Sequence, residues 1–497
     1  MTRKRPLLPV LIAGIALLSA CASPGGQAPD TAPPDETSPS DVAGRPIIFQ
    51  EGNELPRTQL QPKQSPELED NRMGIHAHAL WNPAGQGVFP DGVLDAGYIL
   101  KLGAKHARLA IKSLDAPDDP NVLIDMAEGE PEFSIEPSHD DFINSLAENG
   151  VTIRYVLSFW DAEYAAQGGE VPSPRFKTEG EMERYLDFVR FIVRHFKDRI
   201  EYYEIWNEPT CVGKIQHIEV GDYIKLVKRA VPVIRQEYPG AKIVVGGPHN
   251  LIECDAQDYL FAILRSDVMP LVDVVSWHPM YGTSPEDRYH ANGESISEYY
   301  YEYPYLVQEI KDVASAHGFE GEYVGDELNY LVPEQVWPED RFWFPAYSES
   351  KCAKYYARGI VMHLGMDVSV TTILPRETPQ VFHTIQNLCT VMAGNRPIGL
   401  AIEIEMDMES QATDIKGYSF SLPDGDKLVA LWTDGVAVDD DPGVEATVTL
   451  SGLSAKKVMG IDVLNGFEQE LVTGVEEGSL VIRGLLVKDY PTILRVT

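Results

Sequence analysis

The sequence predicts an α/β protein, a (β/α)8 barrel followed by an all-β sandwich. Three observations carry that prediction. Between Met73 and about Gly394, strand-length apolar runs alternate eight times with stretches of helical period. Two of those runs end in the carboxylates Glu208 and Glu327, 119 positions apart. Three strand–helix units in that interval make about 40 residues each and about 320 for eight, near the usual size of such a barrel. After Arg396 the helical period is gone, and strand-length runs separated by turn residues continue to Val496.

In chain order, the first strand is expected over Gly74–Ala79 and its helix over Asp91–Leu102. His106–Ile111 is the second strand, and Ser138 is placed to cap a helix over Phe142–Glu148. Val151–Phe159 is the third. In its helix, Glu181–Phe196, the residues Met182, Leu186, Val189, Val193 and Phe196 recur at steps of four and three, which makes one apolar face. The fourth strand, Ile200–Ile205, runs straight into Trp206-Asn207-Glu208-Pro209, where the proline cannot donate to a ladder and ends the strand. Lys242–Gly247, Val272–Trp277 and Glu322–Glu327 are strands five to seven. Ser350–Leu364 is a helix, Val368–Leu374 the eighth strand and Val381–Met392 the last helix. The barrel is thus assigned to residues 71–396.

Residues 397–497 read as the sandwich, with strands over Gly399–Glu405, Gly417–Ser421, Lys427–Thr433, Glu445–Leu450, Lys457–Asp462, Ser479–Arg483 and Thr492–Val496. No cluster of aromatics stands out there, so a stabilising lid is favoured over a sugar-binding module. At the other end, Arg3, Lys4 and Arg5 precede an apolar run, Leu7–Leu18, too short for a membrane span and typical of a secretory signal over residues 1–20. Residues 21–70 read as a flexible tether, the part to Arg45 being rich in Pro, Gly, Ser, Thr and Asp. Within it Ile47-Ile48-Phe49 could add one strand to the sandwich or the barrel floor.

Composition narrows the function. A formal charge of -35 argues against nucleic acid and against adhesion to anionic lipid. Besides Cys21 there are four cysteines, an even number suited to an oxidising compartment. Pairing Cys211 with Cys254 and Cys352 with Cys389 would give two local bridges, one of three possible connectivities. His76 and His78 are close, yet no third ligand is evident, so no metal or other cofactor is expected and the pair is taken to line the barrel mouth or pack at strand one.

Trp206-Asn207-Glu208-Pro209 at a strand tip resembles the acid/base signature of glycoside hydrolase clan A, whose members cleave sugar–sugar bonds in a (β/α)8 barrel. The sandwich after the barrel is similar to that of several clan families, family 39 among them. The resemblance implies a retaining glycosidase with Glu208 as acid/base on strand four and Glu327 as nucleophile on strand seven. Rival nucleophiles are Asp326, Asp161 and Glu377. Asp326 would face the other side of its strand, and the clan offers no such role at the other two. The charge of Glu327 is expected to raise the pKa of Glu208 and so keep it protonated for the first step.

The resemblance further implies substrate contacts: Asn207 for a sugar 2-hydroxyl, Arg108 beside the nucleophile, and His278 and Tyr281 after strand six. Trp160 could stack on a sugar face. The chain departs from the clan at the tip of strand eight, which reads Thr371-Thr372-Ile373-Leu374-Pro375-Arg376 where many members have a tryptophan. Trp337 or Trp343, in the loop after Glu327, is the candidate to take that place, the alternative being a subsite built differently. Finally, Leu18-Ser19-Ala20-Cys21 resembles a bacterial lipobox, which implies a lipid on Cys21 and residence at the outer membrane or cell surface. The reading as a whole is an exo-acting β-glycosidase, β-xylosidase-like, tethered to a membrane and acting on carbohydrate. Its alternatives are an endo-acting glycanase and a non-catalytic carbohydrate-binding lipoprotein.

Overall fold

The computed structural model describes residues 49–77, 96–110, 122–125, 132–135, 137–159, 173–210, 212, 216–286, 296–333, 345–373, 378–406, 414–453 and 457–497. Eight parallel strands close into a barrel in chain order: Met73–His76, His106–Ala110, Thr152–Val156, Tyr202–Glu204, Lys242–Gly246, Val274–Trp277, Glu322–Asn329 and Ser369–Ile373. The eighth pairs with the first, Val370 opposite Met73, and completes the ring. Each expected strand lies within a few residues of its place. The helix Glu179–Phe196 begins where Thr178 accepts a hydrogen bond from the Glu181 N–H, and all five of its periodic apolar residues are buried. Ser138 is no cap: its helix starts one residue earlier, at Pro137, which suits a first helical turn because it has no N–H to leave unpaired.

The outer faces of the strands and the inner faces of the helices share one large apolar core. The inside of the barrel is different. A small separate cluster of Val244, Val274 and Val324 packs with Tyr202, and charged side chains fill the space near it. Arg108 on strand two donates two bonds to Glu204 on strand four, at 2.9 and 2.7 Å. Arg154 on strand three reaches Asp326 on strand seven at 2.7 Å and Thr371 on strand eight at 3.0 Å. Bonds between those strands must cross the ring, so all these side chains point inward.

That placement corrects one expectation. Asp326 does not face away from Glu327. Between Gly325 and Leu328 strand seven slips against strand eight, one residue longer than its partner, and Glu327 adopts φ of 57°. Such a bulge breaks the strict alternation of faces, so Asp326 meets Arg154 while Glu327 meets Arg108.

The sandwich consists of a seven-stranded and a four-stranded antiparallel sheet. Part of the expected tether belongs to it, while Ser65, further along, bonds the Ala104 carbonyl of the barrel. Phe49 is buried, Gln50 bridges to Leu485, and Arg57–Gln59 pairs with Phe467–Glu470 at the sheet edge. Residues 21–48 lie outside the described ones. Fully buried Arg358, on the barrel helix Glu349–Gly365, donates to the carbonyls of Asp489, Gly435 and Thr433 and joins barrel to sandwich.

The cysteine pairing needs a second correction. Cys352 and Cys389 sit on neighbouring helices as expected, but both are free and buried. Their thiols face different neighbours, Cys352 the Leu331 carbonyl and Cys389 the Asn71 side chain, and burial pushes both up to about 12. Cys254 is disulfide-bonded; Cys211 lies outside the described residues.

Candidate active site

The C-terminal ends of strands four to seven converge on one cluster. Past Glu204 the chain turns sharply: Ile205 N–H still bonds Val244 of strand five, Trp206 has φ of 68°, and Glu208 has φ of 46° while its N–H bonds the Gly247 carbonyl at 2.9 Å. Left-handed backbone at three non-glycine residues, both glutamates among them, costs of order 1–3 kcal/mol each and persists only where surrounding contacts enforce it. Trp206 supplies one such contact, buried edge-on against Phe176 and Tyr185 with the Arg175 guanidinium over its ring. Here the strain aims both carboxylates into the same space. One oxygen of each, with Nδ1 of His278, lies in a group whose atoms are all within 4.8 Å of one another.

Tyr281 fills the middle of that triangle. Its hydroxyl lies 3.0 Å from Glu208 Oε1 and 2.7 Å from His278 Nδ1, and it makes a very short bond to Glu327 Oε2. It therefore takes the position a cation would need among these ligands. Burial and the two adjacent glutamates hold the Tyr281 pKa far above its usual value, so the hydroxyl keeps its proton. One hydroxyl has one hydrogen to give, and the short contact assigns it to Glu327.

The two carboxylates have different surroundings. Burial alone would raise the Glu327 pKa, but His278, His76 and Arg108 together hold it well below the usual carboxylate range. His76 Nε2 is 3.0 Å and Arg108 Nη1 2.5 Å from its Oε1. Glu208 is touched by His278 Nδ1 at 3.2 Å, by Gln216 Nε2 at 3.3 Å and by His249 Nε2 at 3.8 Å. The expected upward shift of Glu208 is not found. Burial and Glu327 push it up, yet His249 and His278 outweigh them and hold it below its ordinary value. The compensating rise falls on His278, where two carboxylates overcome the effect of burial.

The remaining expected residues divide cleanly. Asn207 sits beside Glu208 in the chain, its Oδ1 accepting from Arg108 Nη2 at 2.8 Å. Arg108 is fully buried and bonds Glu204, Asn207 and Glu327, so it lies behind the carboxylates rather than in the open mouth. Asp326, the nearest rival to Glu327, is fully buried and spent on Arg154. Trp160, Trp337, Trp343, Asp161, Glu377 and Cys21 lie outside the described residues. Sequence reading missed His249, Gln216 and Glu204. His249 carried a signal, since it directly follows strand five and strand tips supply catalytic groups in this fold.

The sequence matches no protein-family model and no curated protein. Solved structures do share its fold. A family 39 glycoside hydrolase from Bacteroides cellulosilyticus WH2 superposes with a TM-score of 0.59 at 15% identity, over 88% of this chain and 83% of that one. A GH51 arabinofuranosidase from Xanthomonas axonopodis pv. citri gives 0.52 at 12%, over 89% and 100%. A monomeric β-xylosidase from Caulobacter crescentus CB15 gives 0.51 at 12%, over 88% and 97%. The chain therefore shares with these three structures the fold of a (β/α)8 barrel followed by a β-sandwich.

Proposed function

We propose that the protein is a retaining glycoside hydrolase that cleaves O-glycosidic bonds by double displacement. The observation that carries this is the approach of Glu208 and Glu327, on strands four and seven, to within 4.8 Å, close to the spacing that retaining enzymes use. Glu327, gripped by Arg108 and His76, is the nucleophile that bonds the anomeric carbon. Glu208 gives its proton to the departing oxygen. His278, whose Nδ1 is 3.2 Å from Glu208 Oε1, stands beside it as a hydrogen-bond partner. Once Glu327 is esterified its charge is gone, His278 loses one of its two anionic partners, and Glu208 serves as base toward water. Asn207, with its oxygen held by Arg108, offers its amide N–H groups to the sugar 2-hydroxyl.

Exo-action on a β-linked sugar such as xylose is the finer reading, supported by the likeness of fold to a family 39 enzyme and a β-xylosidase. The lipobox-like run before Cys21 supports a lipidated N-terminus and residence at the outer membrane or cell surface, with membrane fractionation of wild type and Cys21→Ala as the test. Two acyl chains would resist a high-salt wash where one is marginal; equal membrane association of both proteins rejects the anchor.

The mechanism is tested on aryl glycosides with azide present. Glu208→Ala should still form the covalent intermediate from good leaving groups and yield a glycosyl azide of retained configuration. Glu327→Ala should yield the inverted azide. Swapped stereochemistry reverses the assignment, and full activity in either variant rejects it.

A further inference from the structure

His249 differs from the protein's structural histidines. His217 and His363 are buried and turn a ring nitrogen to a backbone carbonyl, that of Pro209 at 3.0 Å and Gly359 at 2.6 Å. His249 instead stands at the rim of the cluster with its side chain 21% exposed, between two carboxylates. Its Nε2 is 3.8 Å from Glu208 Oε1 and its Nδ1 is 3.3 Å from Glu253 Oε2. The ring stands edge-on to Tyr281, centroids 5.4 Å apart, and its backbone N–H is 3.3 Å from Thr210 Oγ1. At 3.8 Å the ring can act on Glu208 by its charge with little hydrogen bonding.

We propose that His249, oriented by Glu253, is a positioning residue whose positive charge sets the pH at which Glu208 loses its proton. This rests on the acid/base role assigned to Glu208 above. The groups facing Glu208 are His249, His278, Tyr281 and Glu327; those facing His249 are Glu253, Glu208 and the Tyr281 ring. His278 is fully buried and shared between both carboxylates, so its charge is tied to the nucleophile as well. Of the two carboxylates, His249 touches Glu208 alone. It therefore tunes Glu208 without disturbing Glu327.

The sign follows from charge. A cation beside Glu208 favours the carboxylate, lowers its pKa and brings the alkaline limb of kcat/KM to lower pH. Removing the cation must move that limb up. The test is kcat/KM against pH on 4-nitrophenyl β-D-xyloside, chosen within a panel of aryl glycosides, for wild type, His249→Gln and His249→Lys. The Gln variant should shift the alkaline limb upward by about 0.5–1 pH unit, a small shift because the pair is partly exposed. The Lys variant should bring it back toward wild type. An unmoved limb in an active Gln variant overturns the proposal, as do equal shifts in the Gln and Lys variants, which would mark a purely structural role. Wild type inert on the whole panel would sink the hydrolase reading, and this inference with it.

Discussion

The tips of strands four and seven present the same functional group to the same space in different electrostatic settings. Around Glu327 the partners are a permanent cation, two imidazoles and a short hydroxyl bond, and its side chain is 10% exposed. Around Glu208 they are two imidazoles, an amide and the shared hydroxyl, with 17% exposure and, among the described residues, no arginine or lysine in contact. A permanent cation keeps its charge at every working pH. The difference teaches that the two roles proposed for these carboxylates follow from their neighbours, because a nucleophile must stay ionised and an acid/base must be free to switch.

Breaking the fixed side should have the largest effect. Arg108→Met leaves Glu204 buried with its main cationic partner gone, and takes away a partner of Glu327. Loss of one member of such a buried pair costs about 3–5 kcal/mol, so urea unfolding should show a drop of that order, with activity on aryl glycosides close to background. Next comes the hydroxyl that joins the two sides. Tyr281→Phe removes a bond to a charged acceptor, and kcat should fall roughly 10- to 100-fold. Without that donor the Glu327 pKa rises, so the acid limb of the pH profile should move up in the same variant.

A smaller effect should appear in stability. Because the folded-state pKa of Glu327 is depressed, its ionisation contributes stability that is fully present above its unfolded value, about 4.3. That contribution is lost as pH falls through the folded value, well below. Wild type should therefore lose stability more steeply than Glu327→Gln between pH 5 and pH 3 in urea titrations. Equal slopes would contradict the fixed-charge picture. The smallest change belongs to the switching side. Gln216→Ala removes a 3.3 Å bond to Glu208 Oε2 and should lower kcat/KM only a few-fold.

The barrel and both carboxylates were legible in the sequence because strand period and strand-ending prolines are local signals, and Glu208 lies beside one. The direction of the Glu208 shift was not, since it depends on His249 and His278, which chain distance separates from it and folding brings near. Asp326 was misplaced because a bulge is a backbone event with no side-chain period of its own. Arg57–Gln59 escaped notice for a related reason: a three-residue edge strand, exposed along its length, shows no alternation to read. Cys352 and Cys389 show the limit of counting, because adjacent helices bring backbones together while each thiol turns to its own partner.

The edge strand has a consequence for how the protein is made. Thr58 meets Glu468 across 410 positions of chain, so the sandwich combines one of the earliest described segments with some of the last. Chain emerging from its N-terminus must wait until the whole barrel and nearly all of the second domain exist before that pairing can form. Until then both Arg57–Gln59 and Phe467–Glu470 lack this ladder partner, and unpaired edges are sites where chains stick to each other. The last ladder to close thus spans most of the chain, and it sets a high contact order and slow final assembly for a domain whose remaining strands follow one another closely in sequence.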